Sequence, residues 1–177
     1  EHKSVIIFDA AYSDYIKTPG IPHTIYEIEG AERCAIELNS FSKYAGFTGI
    51  RLGWTIVPEA LEAENAPAGL LNRLWNRRQC TFFNGASNVS QAGGIAALSP
   101  EGRKECLALV DYYQTNARII KEGLERKGLI CYGGVDSPYV WAACPDNLSS
   151  WELFDLLLDK ASVVVTPGSG FGPAGEG

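Results

Sequence analysis

Apolar and polar positions follow two patterns along the chain, and each pattern predicts a different kind of element. Short apolar runs without helical spacing predict strands at Val5–Phe8, Ala35–Leu38 and Leu52–Val57. The first run is apolar throughout and ends at Asp9, which favours a buried parallel strand. From Asn84 onward, apolar residues recur every three or four positions, so we expect helices in the region that follows.

The longest predicted helix begins at the pair Ser99-Pro100. Serine is a favoured N-cap residue, and proline is well tolerated at the first helical position. Apolar residues keep the helical spacing to about Lys127, and Gly128 is the expected stop. The pattern therefore predicts one long amphipathic helix near the middle of the chain.

The residues after this helix predict a smaller set of strands and one further helix. Strands are expected at Leu129–Tyr132, Tyr139–Ala143 and Val163–Val165. Ser149 and Glu152 have the spacing of a capping box, which predicts a helix between the last two of these strands. Because strands and helices are mixed throughout, the sequence predicts an α/β protein.

The long helix provides a natural boundary between domains. We expect a first domain over residues 1–100, a connecting helix over 101–127 and a smaller second domain over 128–177. The sequence contains no methionine and ends at Gly177, directly after a glycine-rich turn. We therefore expect the chain to be a segment of a longer protein.

Composition and charge narrow the classes of partner. The 177 residues are 46% hydrophobic and carry a net charge of −6, which argues against nucleic acid or an anionic membrane as the main partner. No apolar run approaches the roughly 18 residues of a membrane span. The five cysteines contain no CxxC pair, which favours reduced thiols in a reducing compartment. We expect the cytoplasm, or a plastid if the source is a plant or alga, and no metal site.

A first chemical motif is Asp9-Ala10-Ala11-Tyr12, at the end of the first predicted strand. A carboxylate beside a buried strand is costly unless a cation meets it. A protonated pyridine nitrogen would be such a cation, and the pairing would strengthen the ring as an electron sink. The alternative is an aspartate that only caps a turn.

Two further motifs follow the second and precede the third predicted strand. Lys43 lies in a serine-rich turn with Ser40 and Ser42, where a desolvated amine can become a nucleophile. Arg51 is flanked by glycines, so the backbone can approach an anion while the guanidinium binds it, as phosphate binding requires. The alternatives are an exposed loop lysine and a surface arginine.

The three motifs together resemble the signature of fold-type I aminotransferases, which use pyridoxal 5′-phosphate. The resemblance implies that Lys43 holds the cofactor as a Schiff base and is the general acid and base of the proton transfer. It implies that Asp9 pairs with the pyridine nitrogen and that Tyr12 donates to the phenolic oxygen of the ring. The phosphate-binding residues that it implies are Ser40 and Arg51, with Ser42 as a further contact.

Longer runs resemble the LL-diaminopimelate aminotransferase family over essentially the whole chain. They are Asp9–Tyr12, Ser40–Trp54, Phe83–Asn88, Ser137–Trp141 and Thr166–Pro173. The resemblance implies transfer of an amino group between LL-diaminopimelate and 2-oxoglutarate, on a route to lysine. It also implies a homodimer whose active sites share residues, with Asn84 as the shared residue. An N-cap of the following helix is the alternative role for Asn84.

The same resemblance assigns several pocket residues to positions outside this sequence. In that family the aromatic residue that stacks on the cofactor precedes the first residue here, and the arginine that binds the substrate α-carboxylate follows Gly177. Residues 1–100 would then be the carboxyl-side part of the large cofactor-binding domain, and 128–177 part of the small domain. Because positioning contributes much of an enzyme's rate, we expect the isolated chain to be nearly inactive.

Three other functions remain open at the level of sequence. The first is an aminotransferase for aspartate, aromatic amino acids or alanine, since the lysine and the phosphate-binding residues are shared. The second is a non-catalytic domain that uses this fold for regulation or assembly, which would leave Lys43 and Arg51 without a purpose. The third is a generic anion-binding α/β domain, in which Lys43 would have no role.

Overall fold

A mixed sheet of three strands carries the first part of the chain. The computed structural model describes residues 4–177, and its first strands are β1 (Ile6–Asp9), β2 (Ala35–Ser40) and β3 (Gly53–Ile56). β1 runs parallel to β2, and β2 runs antiparallel to β3. All three lie within two residues of the predicted bounds, and the parallel direction of β1 is confirmed.

The prediction that β1 is buried is wrong for this chain. The strand order is β1-β2-β3, so β1 lies at an edge of the sheet. Ile7 is 68% exposed and Ile6 is also exposed, because no described element covers them. The central strand β2 is better covered, with Ala35 and Glu37 buried.

Five α-helices accompany the strands in the described part of the chain, and their bounds are α1 (Phe41–Tyr44), α2 (Leu70–Arg78), α3 (Asn88–Leu98), α4 (Pro100–Glu125) and α5 (Ser150–Ala161). α2 continues into a π-helical turn at Gln79–Phe83. The shorter turns are 3₁₀-helical and are found at Ser13–Tyr15, Ile25–Glu27, Ala31–Arg33, Gly168–Phe171 and Pro173–Gly175.

The predicted starts of α4 and α5 are confirmed by their caps. The Ser99 hydroxyl accepts the backbone N–H of Gly102 at 3.1 Å, ahead of Pro100. Ser149 and Glu152 form the full capping box, in which each side chain accepts the backbone N–H of the other residue. α4 ends at Glu125, two residues before the predicted end, and Gly128 has the left-handed φ of +84° that favours glycine there.

The residues divide into two compact units. The first comprises the described residues up to Thr115 together with Val135–Ser137; the second comprises Asn116–Gly134 and Pro138–Gly177. The division falls inside α4. These units are not the same segments as the domains expected from the sequence, whose bounds stay a prediction.

The second unit contains a two-stranded antiparallel sheet of β4 (Cys131–Gly133) and β5 (Val140–Ala142). Both lie where the sequence predicts strands. The predicted strand Val163–Val165 is wrong, because this stretch pairs with no strand among residues 4–177. Its valines are exposed, so the β-branched composition alone does not make a strand here.

The core of the first unit lies against α1. Its buried members are Tyr15, Phe41, Tyr44, Ala97 and Val110. They come from four separate parts of the sequence, so the turn that follows β2 is packed from several sides. All five cysteines are free thiols. Within residues 4–177, no helix combines the length and the apolar character that crossing a bilayer demands.

Candidate active site

Lys43 lies on α1, the single helical turn that directly follows β2. Ser40 is the N-cap, and its hydroxyl accepts the backbone N–H of Ser42 at 3.0 Å. Phe41 and Tyr44 are three residues apart, share one face of the turn and are both buried in the core. Ser42 and Lys43 fall between them and are half-buried. The packing of its neighbours therefore fixes the backbone that carries Lys43.

The structure brings Lys43 and Tyr12 together. The Lys43 Nζ lies 5.9 Å from the centroid of the Tyr12 ring. This proximity follows from the sheet, because β1 and β2 are parallel and their carboxyl ends meet at one edge. The motif after β1 and the motif after β2 were identified separately in the sequence. The structure places both at the same end of the sheet.

Asp9 is the last residue of β1 and is exposed, so its predicted burial is wrong for this chain. The cause is the edge position of β1. One carboxylate oxygen, Oδ1, accepts the backbone N–H of Ala11 at 3.1 Å, which orients the side chain. Asp9 and Tyr12 line the same pocket, together with His23 and Asp136. Asp9 is thus placed beside Tyr12, as the sequence motif requires.

Arg51 reaches the same end of the sheet through β3. Ser40 pairs with Gly53, and the Phe41 N–H donates to the Leu52 carbonyl at 3.1 Å. Arg51 has a φ of +66°, a left-handed conformation that is uncommon for residues other than glycine. Strained backbone of this kind tends to occur at functional sites.

The Arg51 side chain is tied to the loop that follows α1. Its Nη1 donates to the Thr48 carbonyl at 2.8 Å, and the Thr48 hydroxyl donates to the Ser42 carbonyl at 3.2 Å. A guanidinium has five N–H donors, and the Thr48 carbonyl engages one nitrogen. The arrangement orients Arg51 and retains donors for an anion.

The structure does not bring Asn84 to the other predicted residues. Asn84 is exposed and has a left-handed φ of +60°, at the end of the π-helical turn. Its alternative role as the N-cap of α3 is wrong, because the cap is Ser87, whose hydroxyl accepts the Ser90 N–H at 3.1 Å. The role of Asn84 across an interface stays a prediction.

One residue in contact with the site was missed at the sequence level. The Tyr15 hydroxyl donates to the backbone carbonyl of Lys43 at 3.2 Å. The Tyr15 ring also meets the Tyr12 ring edge to face, with 5.8 Å between the centroids. The only signal in the sequence is a second tyrosine three residues after Tyr12, which by itself indicates no role.

The surroundings shift the pKa of two carboxyl groups near the site. Burial raises the pKa of the Asp14 carboxyl, and the Arg103 guanidinium, 3.8 Å away, opposes that rise. The pKa of the Asp136 carboxyl is lowered, because its Oδ1 accepts the backbone N–H groups of Lys17 at 2.7 Å and Thr18 at 2.9 Å. Asp136 therefore carries its charge in the pocket that Asp9 and Tyr12 line.

Two curated proteins are similar to this chain over nearly all of its residues. LL-diaminopimelate aminotransferase of Bacteroides fragilis strain YCH46 is 56% identical over 98% of this chain and 43% of its own length. The enzyme of the same name from Methanosphaera stadtmanae is 54% identical over 100% of this chain and 44% of its own. The chain therefore spans less than half the length of the curated relatives that it matches.

Solved structures confirm the predicted fold class, an α/β fold-type I transferase. L,L-Diaminopimelate aminotransferase from Chlamydomonas reinhardtii superposes with a TM-score of 0.90 at 52% identity, over 98% of this chain and 42% of that one. An aromatic aminotransferase from Pyrococcus horikoshii superposes with a TM-score of 0.78 at 26% identity, over 98% and 44%. The family profile described as "Aminotransferase class I and II" matches residues 1–177. The chain belongs to the class I and II aminotransferase family.

Proposed function

We propose that the protein to which this chain belongs transfers an amino group between LL-diaminopimelate and 2-oxoglutarate. The products are tetrahydrodipicolinate and glutamate, in lysine biosynthesis. The observation that carries the proposal is 56% identity to an LL-diaminopimelate aminotransferase over 98% of the chain. It is supported by the placement of Lys43 beside Tyr12. The cytoplasm is the proposed compartment.

The residues present fit pyridoxal 5′-phosphate, the cofactor of this family. The group needs an amine, an anion for its ring nitrogen, a donor for its phenolic oxygen and donors for its phosphate. The Lys43 amine lies over the Tyr12 ring, and Asp9 lines a pocket with Tyr12. Ser40 is the last residue of β2 and pairs with Gly53, two residues after Arg51. The donor set therefore matches each part of the cofactor.

We propose the following division of work among these side chains. The Lys43 amine binds the cofactor and, once released, takes a proton from the α-carbon of the amino acid and holds it. The Asp9 carboxylate keeps the ring nitrogen protonated, and the Tyr12 hydroxyl donates to the ring oxygen. When bound, the cofactor accepts the amino group and delocalises the negative charge of the α-carbon.

The phosphate is assigned to hydroxyl and guanidinium donors. The Ser40 hydroxyl accepts the N–H of Ser42, so its own hydrogen remains to be donated. Arg51 offers a planar set of donors that suits two phosphate oxygens at once. Ser42 is proposed as a further contact. Two fixed points, the phosphate and Lys43, would orient the ring between them.

A second candidate is an aminotransferase for aromatic amino acids. The Pyrococcus horikoshii neighbour favours it, since the fold is shared at a TM-score of 0.78. The identity to that neighbour is 26%, against 52% for the Chlamydomonas reinhardtii enzyme over the same share of this chain. The difference favours LL-diaminopimelate as the substrate.

We also propose a homodimer with Asn84 at the shared interface. Large apolar side chains near Asn84 are exposed, including Phe82, Phe83, Val89 and Ile95. Large exposed apolar side chains, where they form one patch, mark an interaction site. A second copy of the chain would cover these side chains and bring Asn84 to the partner's site.

The substrate is tested by measuring amino transfer in the native full-length protein. Initial rates are compared for LL-diaminopimelate, phenylalanine, aspartate and alanine, each with 2-oxoglutarate, by following glutamate. The account predicts that kcat/KM for LL-diaminopimelate exceeds the others by at least about 10²-fold, a span that loss of fitted polar contacts readily gives. A higher kcat/KM with phenylalanine would replace the proposed substrate with an aromatic one.

A further inference from the structure

Tyr15 contacts both residues that the proposed function makes central. Its hydroxyl donates to the Lys43 carbonyl at 3.2 Å, and its ring packs edge to face on the Tyr12 ring. Tyr15 is 2% exposed, so its ring stays away from the solvent. It belongs to the strand–turn segment of Asp9 and Tyr12, whereas Lys43 lies 28 residues later.

The hydrogen bond from Tyr15 satisfies a carbonyl at the end of the α1 turn. The last carbonyls of a helix have no partner within the helix, and α1 has only four residues. The N–H groups of both Ala45 and Phe47 donate to the Phe41 carbonyl. The Tyr15 hydroxyl therefore supplies the Lys43 carbonyl with a donor from another segment. Fixing this carbonyl fixes the backbone from which the Lys43 side chain extends.

The second contact of Tyr15 is with the Tyr12 ring. Edge-to-face aromatic pairs have a preferred geometry, and this pair has centroids 5.8 Å apart. The Tyr12 ring in turn has the Lys43 Nζ 5.9 Å from its centroid. One side chain thus contacts both the Tyr12 ring and the backbone of Lys43.

Tyr15 is itself held in place by its backbone. The Gln114 Nε2 on α4 donates to the Tyr15 carbonyl at 2.5 Å and to the Val135 carbonyl at 3.1 Å. The Tyr15 ring packs in the core beside Phe41 and Val110. Because both its backbone and its ring are fixed, Tyr15 can hold the residues that it contacts in place. An exposed, mobile side chain could not.

We propose that Tyr15 is a positioning residue that sets the distance between Lys43 and Tyr12. The inference rests on the proposed cofactor chemistry, since only there does that distance matter. Tyr15 acts through its two neighbours and touches no reacting atom. Loss of its hydroxyl releases the Lys43 carbonyl, and the Tyr12–Lys43 geometry relaxes.

The test is a pH titration of the absorbance of bound pyridoxal 5′-phosphate in the full-length protein. Tyr15→Phe keeps the ring and removes the hydroxyl. The matched control is Tyr44→Phe, which removes a buried hydroxyl that faces the Cys106 thiol and makes no hydrogen bond to Lys43 or Tyr12. Both variants delete one oxygen from a buried tyrosine in the same core. Lys43→Ala identifies the part of the absorbance that depends on the lysine.

Tyr15→Phe is expected to raise the midpoint of the titration by about half a pH unit. A shift of this size corresponds to part of the free energy of one hydrogen bond. A weaker donation from Tyr12 to the ring oxygen destabilises its anionic form, so protonation persists to higher pH. Tyr44→Phe is expected to leave the midpoint unchanged. A loss of folded protein would lower the amplitude and not move the midpoint, so a purely structural role is distinguishable.

Two results would overturn the inference in different ways. A midpoint that Tyr15→Phe does not move, or that Tyr44→Phe moves equally, rejects the positioning role and leaves the proposed function standing. No Lys43-dependent absorbance in the unsubstituted protein rejects the proposed function and the inference with it.

Discussion

Two regions of the first unit treat their large apolar side chains in opposite ways. In the Lys43 turn, residues 40–47, Phe41 is 5% exposed and Tyr44 is also buried. In the apolar flank, residues 82–98, Phe82 is 87% exposed. Both regions lie next to residues with proposed roles, Lys43 in the first and Asn84 in the second. The contrast supports the proposal that this chain supplies the Lys43 side of the site and that a second copy covers the apolar flank.

Helix α3 explains why the apolar flank is open. Its buried residues are small ones, Ser90, Gly94 and Ala97. A Cβ placed on Gly94 would lie 2.5 Å from the Leu52 side chain, so the helix packs closely on this small-residue face. The large residues of α3 therefore point away from the core. The proposed occupant of that outward face is a second copy of the chain.

Replacing Lys43 has the largest expected effect. Lys43→Ala removes the amine that holds the cofactor and moves the proton, so kcat is expected to fall at least about 10²–10⁴-fold. Steady-state rates with LL-diaminopimelate measure the loss. Lys160→Ala is the control, because Lys160 is an exposed residue of α5. Equal rates for the two variants would remove Lys43 from the mechanism.

Replacing one phenylalanine in each region with alanine tests the difference between the two regions directly. Phe41→Ala is expected to lower the free energy of unfolding by about 3–5 kcal/mol, the cost of a cavity in a core. Phe82→Ala is expected to leave the stability of the subunit within about 0.5 kcal/mol. It should instead raise the dissociation constant of the dimer about tenfold or more, since a buried phenylalanine contributes about 1.5–3 kcal/mol.

Urea unfolding measures the first quantity and sedimentation equilibrium the second, both in the full-length protein. A dimer that Phe82→Ala does not weaken would reject the flank as the interface. Equal losses of stability from both substitutions would show that the two regions do not differ as their exposure indicates.

The smallest expected effect concerns the charge of Asp136. Its pKa is lowered by the N–H groups of Lys17 and Thr18, so its charge stabilises the fold above the unfolded pKa, about 3.9. This stabilisation is lost as the pH falls through the folded pKa. Asp136→Asn should therefore lower the unfolding midpoint at pH 6, and the difference from the unsubstituted protein should shrink by pH 3. A difference that does not change with pH would contradict the assignment.

Much of the fold follows from local pattern in the sequence. The strands β1, β2 and β3 and the caps at Ser99 and Ser149 were predictable, since apolar runs and capping residues act over a few positions. Two predictions were wrong, that β1 is buried and that Val163–Val165 forms a strand. Each depends on neighbouring elements, which the local sequence pattern does not describe. Burial and strand pairing are properties of the assembled sheet.

The sequence predicted candidate site residues for a different reason, and their roles stay predictions. Three separate motifs were informative only together. The parallel pairing of β1 with β2 brings the first two to one end of the sheet, and the antiparallel pairing of β2 with β3 brings the third. Tyr15 was not predictable, because its contact with Lys43 depends on the tertiary placement of two turns. The left-handed φ of Arg51 was not predictable from the sequence either. A glycine predicts a left-handed φ at its own position and not at the arginine between two glycines.

The central claim is that Lys43 holds the cofactor, and one chemical measurement tests it. Borohydride adds hydride to a carbon–nitrogen double bond and turns the Schiff base of a lysine and pyridoxal 5′-phosphate into a stable secondary amine. The full-length protein is loaded, reduced, digested and examined by mass spectrometry. The account predicts the added cofactor mass on the peptide that contains Lys43 and on no other lysine. Modification of a different lysine, or none after loading, would contradict it.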